Sequence, residues 1–327
     1  MPRLFLLWII LGAHAAMSEV PCTKGTPECR ETVTVESQIF SVYRNHGLST
    51  LNPTVQRLVI LIHGINRNAN EYFEWAMKSA KSANAEQSTL LICPHFKNQE
   101  DSKELNALFW EDSLWKFGEL SVNEGKTFSS FEVVDRILSQ VVTSKKFPNL
   151  KTLVITGHSA GGQFTSRYAV TSSVPQANGL AVSYVIGNPS SYLYLNEMRF
   201  SQATDRFEKP KTDCESYHHY PYGWLKGNAY VSQTSDAQAK KNLASRQIAI
   251  FLGELDTETE LLDMSCGANL QGKNRRDRGE IYFRYLKEFH PGKSHSLVRV
   301  PEIGHDGAKM YQSVQGQKLL FGELGAW

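Results

Sequence analysis

The sequence predicts an α/β fold, a mostly parallel sheet of eight strands with helices on both faces. Three observations carry that prediction. Short apolar, β-branched runs alternate with stretches of helical period, and no internal repeat interrupts them. One of these runs ends abruptly in Gly157-His158-Ser159-Ala160-Gly161, with a helical pattern directly after it. The chain has 327 residues, 41% hydrophobic and 21% charged, an ordinary globular composition with ample material for a large core.

The first residues stand outside that fold. Arg3, an apolar core from Leu4 to Leu11 and then Ala13-His14-Ala15 have the layout of a secretory leader. The expected organisation is therefore a signal peptide over 1–15 and a single domain over 16–327. The apolar run is too short to span a bilayer. A secreted or periplasmic protein without a stable membrane anchor is expected, in a compartment where disulfides persist. Of the five cysteines, Cys22 and Cys29 flank a short Gly/Pro loop, while Cys214 and Cys266 lie in polar loops of the second half. Those two pairings are expected, although spacing alone does not fix connectivity. Cys93, inside an apolar strand, is expected to be a free buried thiol.

Residues 31–37 and 38–44 read as an opening pair of strands, and 57–64 as a fully buried one. A helix over 70–83 and a strand over 88–96 follow. Ser129 with Glu132 three positions on is a capping box opening a helix over 129–142. Next come a strand over 151–157, a helix over 162–173 and a strand over 180–187. From 189 to 245 the apolar period breaks down, which marks a loop-rich insertion of the kind that caps a site. Its Tyr217, Tyr220, Tyr222, Trp224 and Tyr230 suit either lining a pocket or pinning the insertion to the core. Strands over 247–253 and 296–304 enclose a helix over 279–289. The basic run from Lys273 to Arg278 reads as a solvated loop.

The glycines around Ser159 have a steric reason. A serine presented on a sharp strand-to-helix turn needs small residues two positions either side, because the backbone passes close to itself there. The following helix then aims its first N–H groups at the hydroxyl. A hydroxyl is a poor nucleophile at neutral pH and needs a base, which needs an orienting acid. Asp256 falls directly after the strand over 247–253, and His305 directly after the last strand. Both therefore sit at the sheet edge where open α/β sheets bind ligands. Glu254 reads as strand end, Asp263 as part of the following turn, and Asp306 is too close in sequence to orient the His305 ring. For the oxyanion the expected donors are the N–H of Ala160, next after the serine, and that of Ile65, in the loop that Gly64 allows to turn. His63 is expected to pack and brace that loop.

With "HGINRNANEYF" after the third strand, "GHSAGGQ" at the turn, "GELDT" after the seventh and "GHDGAKM" after the eighth, the chain resembles the α/β-hydrolase superfamily from about Thr32 onward. It is also similar to secreted esterase- or depolymerase-like serine hydrolases that carry HGxxRNA. The resemblance implies an α/β-hydrolase fold with Ser159 as nucleophile, Asp256 as acid and His305 as base. Arg67 and Asn68 fit the same pattern as a buried pair bracing the loop. The expected activity is ester hydrolysis through an acyl-enzyme, on a small-molecule or polymeric ester. Peptidase or amidase chemistry on the same triad is the alternative, and a hydrolase fold kept only for binding is a third reading.

Other function classes fit poorly. With 35 basic and 33 acidic residues the net charge is +2, and there is no basic stripe for nucleic acid. His218-His219 has no second ligand cluster at site spacing, so neither a metal nor another cofactor is expected.

Overall fold

The computed structural model describes residues 20–101, 104–174, 179–292 and 294–323; the leader expected at 1–15 lies outside them. Strands β1 (Arg30–Val35), β2 (Gln38–Arg44), β3 (Arg57–Ile62), β4 (Thr89–Pro94), β5 (Thr152–His158), β6 (Ala181–Gly187), β9 (Gln247–Gly253) and β10 (His295–Val300) form one sheet. Its order is β1-β2-β4-β3-β5-β6-β9-β10. The first two pairings, β1 with β2 and β2 with β4, are antiparallel, and all later ones are parallel.

The central strands read as unbroken apolar runs because both faces of the sheet are covered. On β3, Leu58, Ile60 and Ile62 enter one core, while Val59 and Leu61 enter the other. On β9, Ile248, Ile250 and Leu252 face the first core, and Ala249 and Phe251 the second. Helices α2 (Ser130–Thr143), α3 (Ala160–Thr171), α4 (Asp236–Ser245) and α6 (Arg275–Phe289) cover the first face through Phe131, Phe164, Leu243 and Tyr285. Helices α1 (Ala69–Ser82), α7 (Gly307–Gln312) and α8 (Val314–Phe321) cover the second through Phe73, Met310 and Leu319. A single turn, α5 (Cys266–Asn269), precedes α6. No helix among the described residues is long and apolar enough to cross a membrane.

Ser129 caps α2 by accepting from the Phe131 N–H, as its sequence signature predicts. Glu132 turns instead to Arg136 one turn on, at 2.8 Å. The segment between β6 and β9 holds a short hairpin, β7 (Arg199–Ser201) and β8 (Arg206–Glu208), and then α4. Its aromatic residues act largely as anchors. Tyr230 donates to Asp135 of α2 at 2.6 Å, and that buried carboxylate also accepts from Tyr168 of α3 and from Ser172 just after it. Tyr220 donates to the Phe117 carbonyl. Disulfides join Cys22 to Cys29 and Cys214 to Cys266, and Cys93 is a buried free thiol. The second bridge closes a loop of 52 residues and ties the insertion to α5, which by loop entropy stabilises the fold by roughly 4 kcal/mol.

The basic run is not a solvated loop. Arg275 opens α6, and the helix buries Arg275, Arg278, Gly279, Tyr282, Tyr285 and Leu286 along one face at helical spacing. Arg275 donates through its two Nη groups to the Glu258 and Glu260 carbonyls, and Arg278 to the carbonyls of Gly272, Ser190 and Asp263 and to the Asn269 side-chain oxygen. Carbonyls replace the water that a solvated run would have needed.

Candidate active site

At the end of β5 the chain turns sharply into α3, and Ser159 adopts φ 59°, ψ −117°, a conformation that few non-glycine residues take up. The turn is crowded by backbone. A Cβ on Gly157 would lie 2.3 Å from the Gly161 carbonyl, and one on Gly161 would lie 2.2 Å from the Ile62 carbonyl. The neighbouring glycines therefore permit the strained serine, whose own N–H is held by the Gly187 carbonyl at 2.9 Å.

The structure brings Ser159 and the two downstream candidates together. His305 Nε2 lies 3.0 Å from Ser159 Oγ, and His305 Nδ1 lies 2.7 Å from Asp256 Oδ2. Asp256 is fully buried, while the His305 side chain is 25% exposed and faces the cavity. The Asp256 main chain is fixed at both ends: its N–H donates to Gly253, and its carbonyl accepts from Arg276 at the start of α6. Behind the carboxylate sits Arg275, 1% exposed, with Nη1 3.8 Å from Asp256 Oδ1. Asp306 caps α7 through the Lys309 N–H and takes no part in orienting His305. Asp263 instead accepts from Tyr222 and Ser265.

Ser159 opens into a cavity of about 530 Å³ whose walls include Ile65, Asn68, Trp75, Lys116, Phe117 and Tyr222. Ala160 and Ile65 both line it. The Ala160 N–H, first of α3, has no intrahelical partner. The Ile65 N–H belongs to the same trans peptide as the Gly64 carbonyl, so the two point in opposite directions. His63 holds that carbonyl: Phe96 N–H donates to Nε2 at 3.0 Å, which leaves the proton on Nδ1 to donate to Gly64 at 2.8 Å. His63 thus braces the loop and fixes which way the Ile65 N–H points. Arg67 pairs with Asp101, and Asn68 reaches Glu71. Both are half-buried rather than buried, because the loop that carries them rims the cavity.

His158, Asn188 and Tyr72, which no motif in the sequence singles out as site residues, form a buried group beside His305. The His158 ring packs 4.6 Å from that of His305. It is held between the Tyr72 hydroxyl, 3.3 Å from Nδ1, and the Asn188 amide, 3.2 Å from Nε2. Asn188 has its own orientation fixed by accepting from Gly253 N–H at 3.0 Å. A donor amide at Nε2 requires a neutral His158. Burial, then the charges of His305 and Arg275, push its pKa well below the ordinary imidazole value. Burial likewise brings His63 to about 3. Position 158 carried a signal, since the residue before the serine must pack beneath whatever base approaches it, but nothing local in the sequence identified Asn188 or Tyr72.

These neutral histidines make stability pH-dependent. The unfolded chain binds their protons as pH falls through 6.5, whereas folded His63 resists until about 3. The folded state therefore keeps this contribution above the ordinary imidazole range and loses it on acidification. The urea midpoint is expected to fall between about pH 7.5 and about pH 5, a window above most carboxylate titrations. Equal midpoints at the two values would contradict it.

No group of three or more His, Cys, Asp or Glu side chains that could hold a metal ion occurs among the described residues. His218 and His219 lie in the insertion, away from the cavity lining.

No family model and no curated protein sequence matches the chain. Solved structures do. It is similar to the poly(3-hydroxybutyrate) depolymerase of Bordetella parapertussis, with 20% identity, a TM-score of 0.64 and coverage of 90% of this chain and 91% of that one. It is also similar to poly(aspartic acid) hydrolase-1 from Sphingomonas sp. KT-1, with 23% identity, a TM-score of 0.63 and coverage of 89% and 97%. An esterase structure from Rhizomucor miehei gives 16% identity, a TM-score of 0.50 and coverage of 91% and 80%. The chain has the α/β-hydrolase fold.

Proposed function

We propose that this chain is a secreted serine hydrolase that cleaves carboxylic esters through an acyl-enzyme. The observation that carries this reading is the continuous hydrogen-bond line from Ser159 Oγ through His305 to the buried Asp256 carboxylate. In the proposed reaction Ser159 Oγ attacks the ester carbonyl carbon as His305 Nε2 takes its proton. Asp256 holds the proton on Nδ1, so that Nε2 is free to accept, and balances the imidazolium that forms. The N–H groups of Ala160 and Ile65 meet the oxygen where negative charge develops, a contribution of roughly 3 kcal/mol per donor in such sites. His305 then returns the proton to the departing alcohol, and a water activated by the same ring releases the acid.

Two disulfides suit export to an oxidising compartment. A reading as an amidase uses the same atoms, and the likeness to poly(aspartic acid) hydrolase-1 favours it. Matched ester and anilide substrates separate the two.

A fluorophosphonate probe tests the hydrolase reading directly, since Ser159 Oγ would bond to phosphorus as fluoride leaves. The folded wild type is expected to label, with the adduct on Ser159, and folded Ser159→Ala to stay unlabelled. A folded wild type that does not label, or a Ser159→Ala variant that labels equally, would defeat the proposal.

A further inference from the structure

One wall of the catalytic cavity carries two cations, Lys116 and Arg167, against one carboxylate, Asp263. Lys116 closes a tight turn over Leu114–Phe117 and lines the same cavity as Ser159 and His305. Its Nζ lies 4.8 Å from the centroid of the Phe117 ring, which lines the cavity beside it. The side chain is half-buried, and among the described residues no carboxylate comes within ion-pair distance of it.

A second cation stands behind the first. Arg167 of α3 is fully buried, with its guanidinium carbon also 4.8 Å from the Phe117 centroid. Its donors end on the Gln163, Ser191 and Pro221 carbonyls and the Ser191 hydroxyl. Those are neutral acceptors, so its charge is solvated but not cancelled. Asp263 is the carboxylate on this wall; its charge offsets part of this field, but both its oxygens accept from neutral donors and neither reaches Lys116 within ion-pair distance. Oδ1 accepts from the Ser265 N–H and hydroxyl, and Oδ2 from Tyr222 at 2.8 Å. Burial, then the neighbouring Arg167 charge, weaken the hold of Lys116 on its proton, against a smaller opposing pull from Asp263. A half-desolvated ammonium with no carboxylate in direct contact is an unfavourable arrangement that an anion entering the cavity would relieve.

We propose that the ester taken by this site carries an anionic group, a carboxylate in its acyl or leaving portion, which pairs with Lys116. The inference rests on the hydrolase reading above and narrows its substrate class. Phe117 supplies apolar contact for the adjoining carbon chain, and the buried Arg167 adds a positive field without offering a free donor.

Two pairs of esters test it, each compared between the wild type and Lys116→Gln. The acyl-side pair is para-nitrophenyl hemiglutarate against para-nitrophenyl valerate. The leaving-side pair is para-carboxyphenyl butyrate against phenyl butyrate. The readout is the ratio of kcat/KM for the anionic to the neutral ester, in which intrinsic reactivity cancels between enzymes. Lys116→Gln is expected to lower that ratio about tenfold in one pair, mainly through KM, and Lys116→Arg to retain most of it. The pair that responds tells which side of the ester carries the charge. A ratio within about twofold of wild type in both pairs overturns the inference while leaving the hydrolase reading intact. Failure of the folded wild type to turn over any of the four esters overturns the hydrolase reading, and this inference with it.

Discussion

Asp256→Asn is expected to lower kcat about 10⁴-fold while changing KM only a few-fold. The reason lies in which face of the carboxylate each neighbour meets. His305 Nδ1 contacts Oδ2 at 2.7 Å, and Arg275 Nη1 approaches Oδ1 at 3.8 Å. An asparagine in this place keeps its carbonyl oxygen toward the arginine, since the opposite choice would set an NH₂ group against a guanidinium. Its amide NH₂ is then turned toward His305. Nδ1 must accept from it, the ring proton moves to Nε2, and the atom facing Ser159 Oγ can no longer take a proton. The imidazolium that forms during attack also loses its buried counter-charge. Both losses grow as the transition state is approached, which places the effect in kcat. The variant must be shown to fold by circular dichroism. A folded Asp256→Asn enzyme within tenfold of wild type would remove Asp256 from the proposed mechanism.

The sheet and the order of the candidate residues along the chain were legible because each leaves a local trace. A buried parallel strand writes a continuous apolar run, and Leu58–Ile62 does so because its alternate side chains enter two separate cores. The turn at Ser159 writes glycines at fixed offsets because backbone lies within 2.3 Å of where their Cβ atoms would be. Asp256 and His305 follow strand ends, so their proximity to Ser159 is inherited from the topology rather than from any motif of their own. What stayed hidden depends on contacts between distant segments. The 189–245 insertion gave no period because its short hairpin and its anchors to Asp135 and Phe117 are satisfied from elsewhere in the chain. Helices α7 and α8 escaped notice because they are short and capped by Asp306 and Ser313 within a few residues of each other.

The basic run misleads for a different reason. Charge normally signals solvent, which places Arg275 and Arg278 in a loop and starts the helical pattern only at Gly279. Begun at Arg275, the pattern places Arg275 and Arg278 on one face together with Tyr282 and Tyr285. Two arginines at core positions of a helix demand buried acceptors, and that demand pointed toward the candidate site.

Arg275→Met is therefore expected to destabilise the protein by about 3–5 kcal/mol, far more than loss of a surface arginine would. The substitution leaves the Asp256 carboxylate buried beside an apolar side chain and removes the donors that hold the Glu258 and Glu260 carbonyls. Those carbonyls belong to the loop that carries the acid, so kcat is also expected to fall, by about ten- to a hundredfold, as Asp256 loses its fixed position. A double-mutant cycle with Asp256→Asn separates charge pairing from loop support. If the pair interacts, the stability cost of Arg275→Met is smaller once Asp256 is neutral, and the two costs sum to more than the double variant loses. The Arg275→Met change should also release the asparagine amide to turn its oxygen toward His305, so that the double variant recovers part of the rate lost by Asp256→Asn alone. Strict additivity in both urea midpoint and kcat would show that Arg275 supports the loop without acting on the acid.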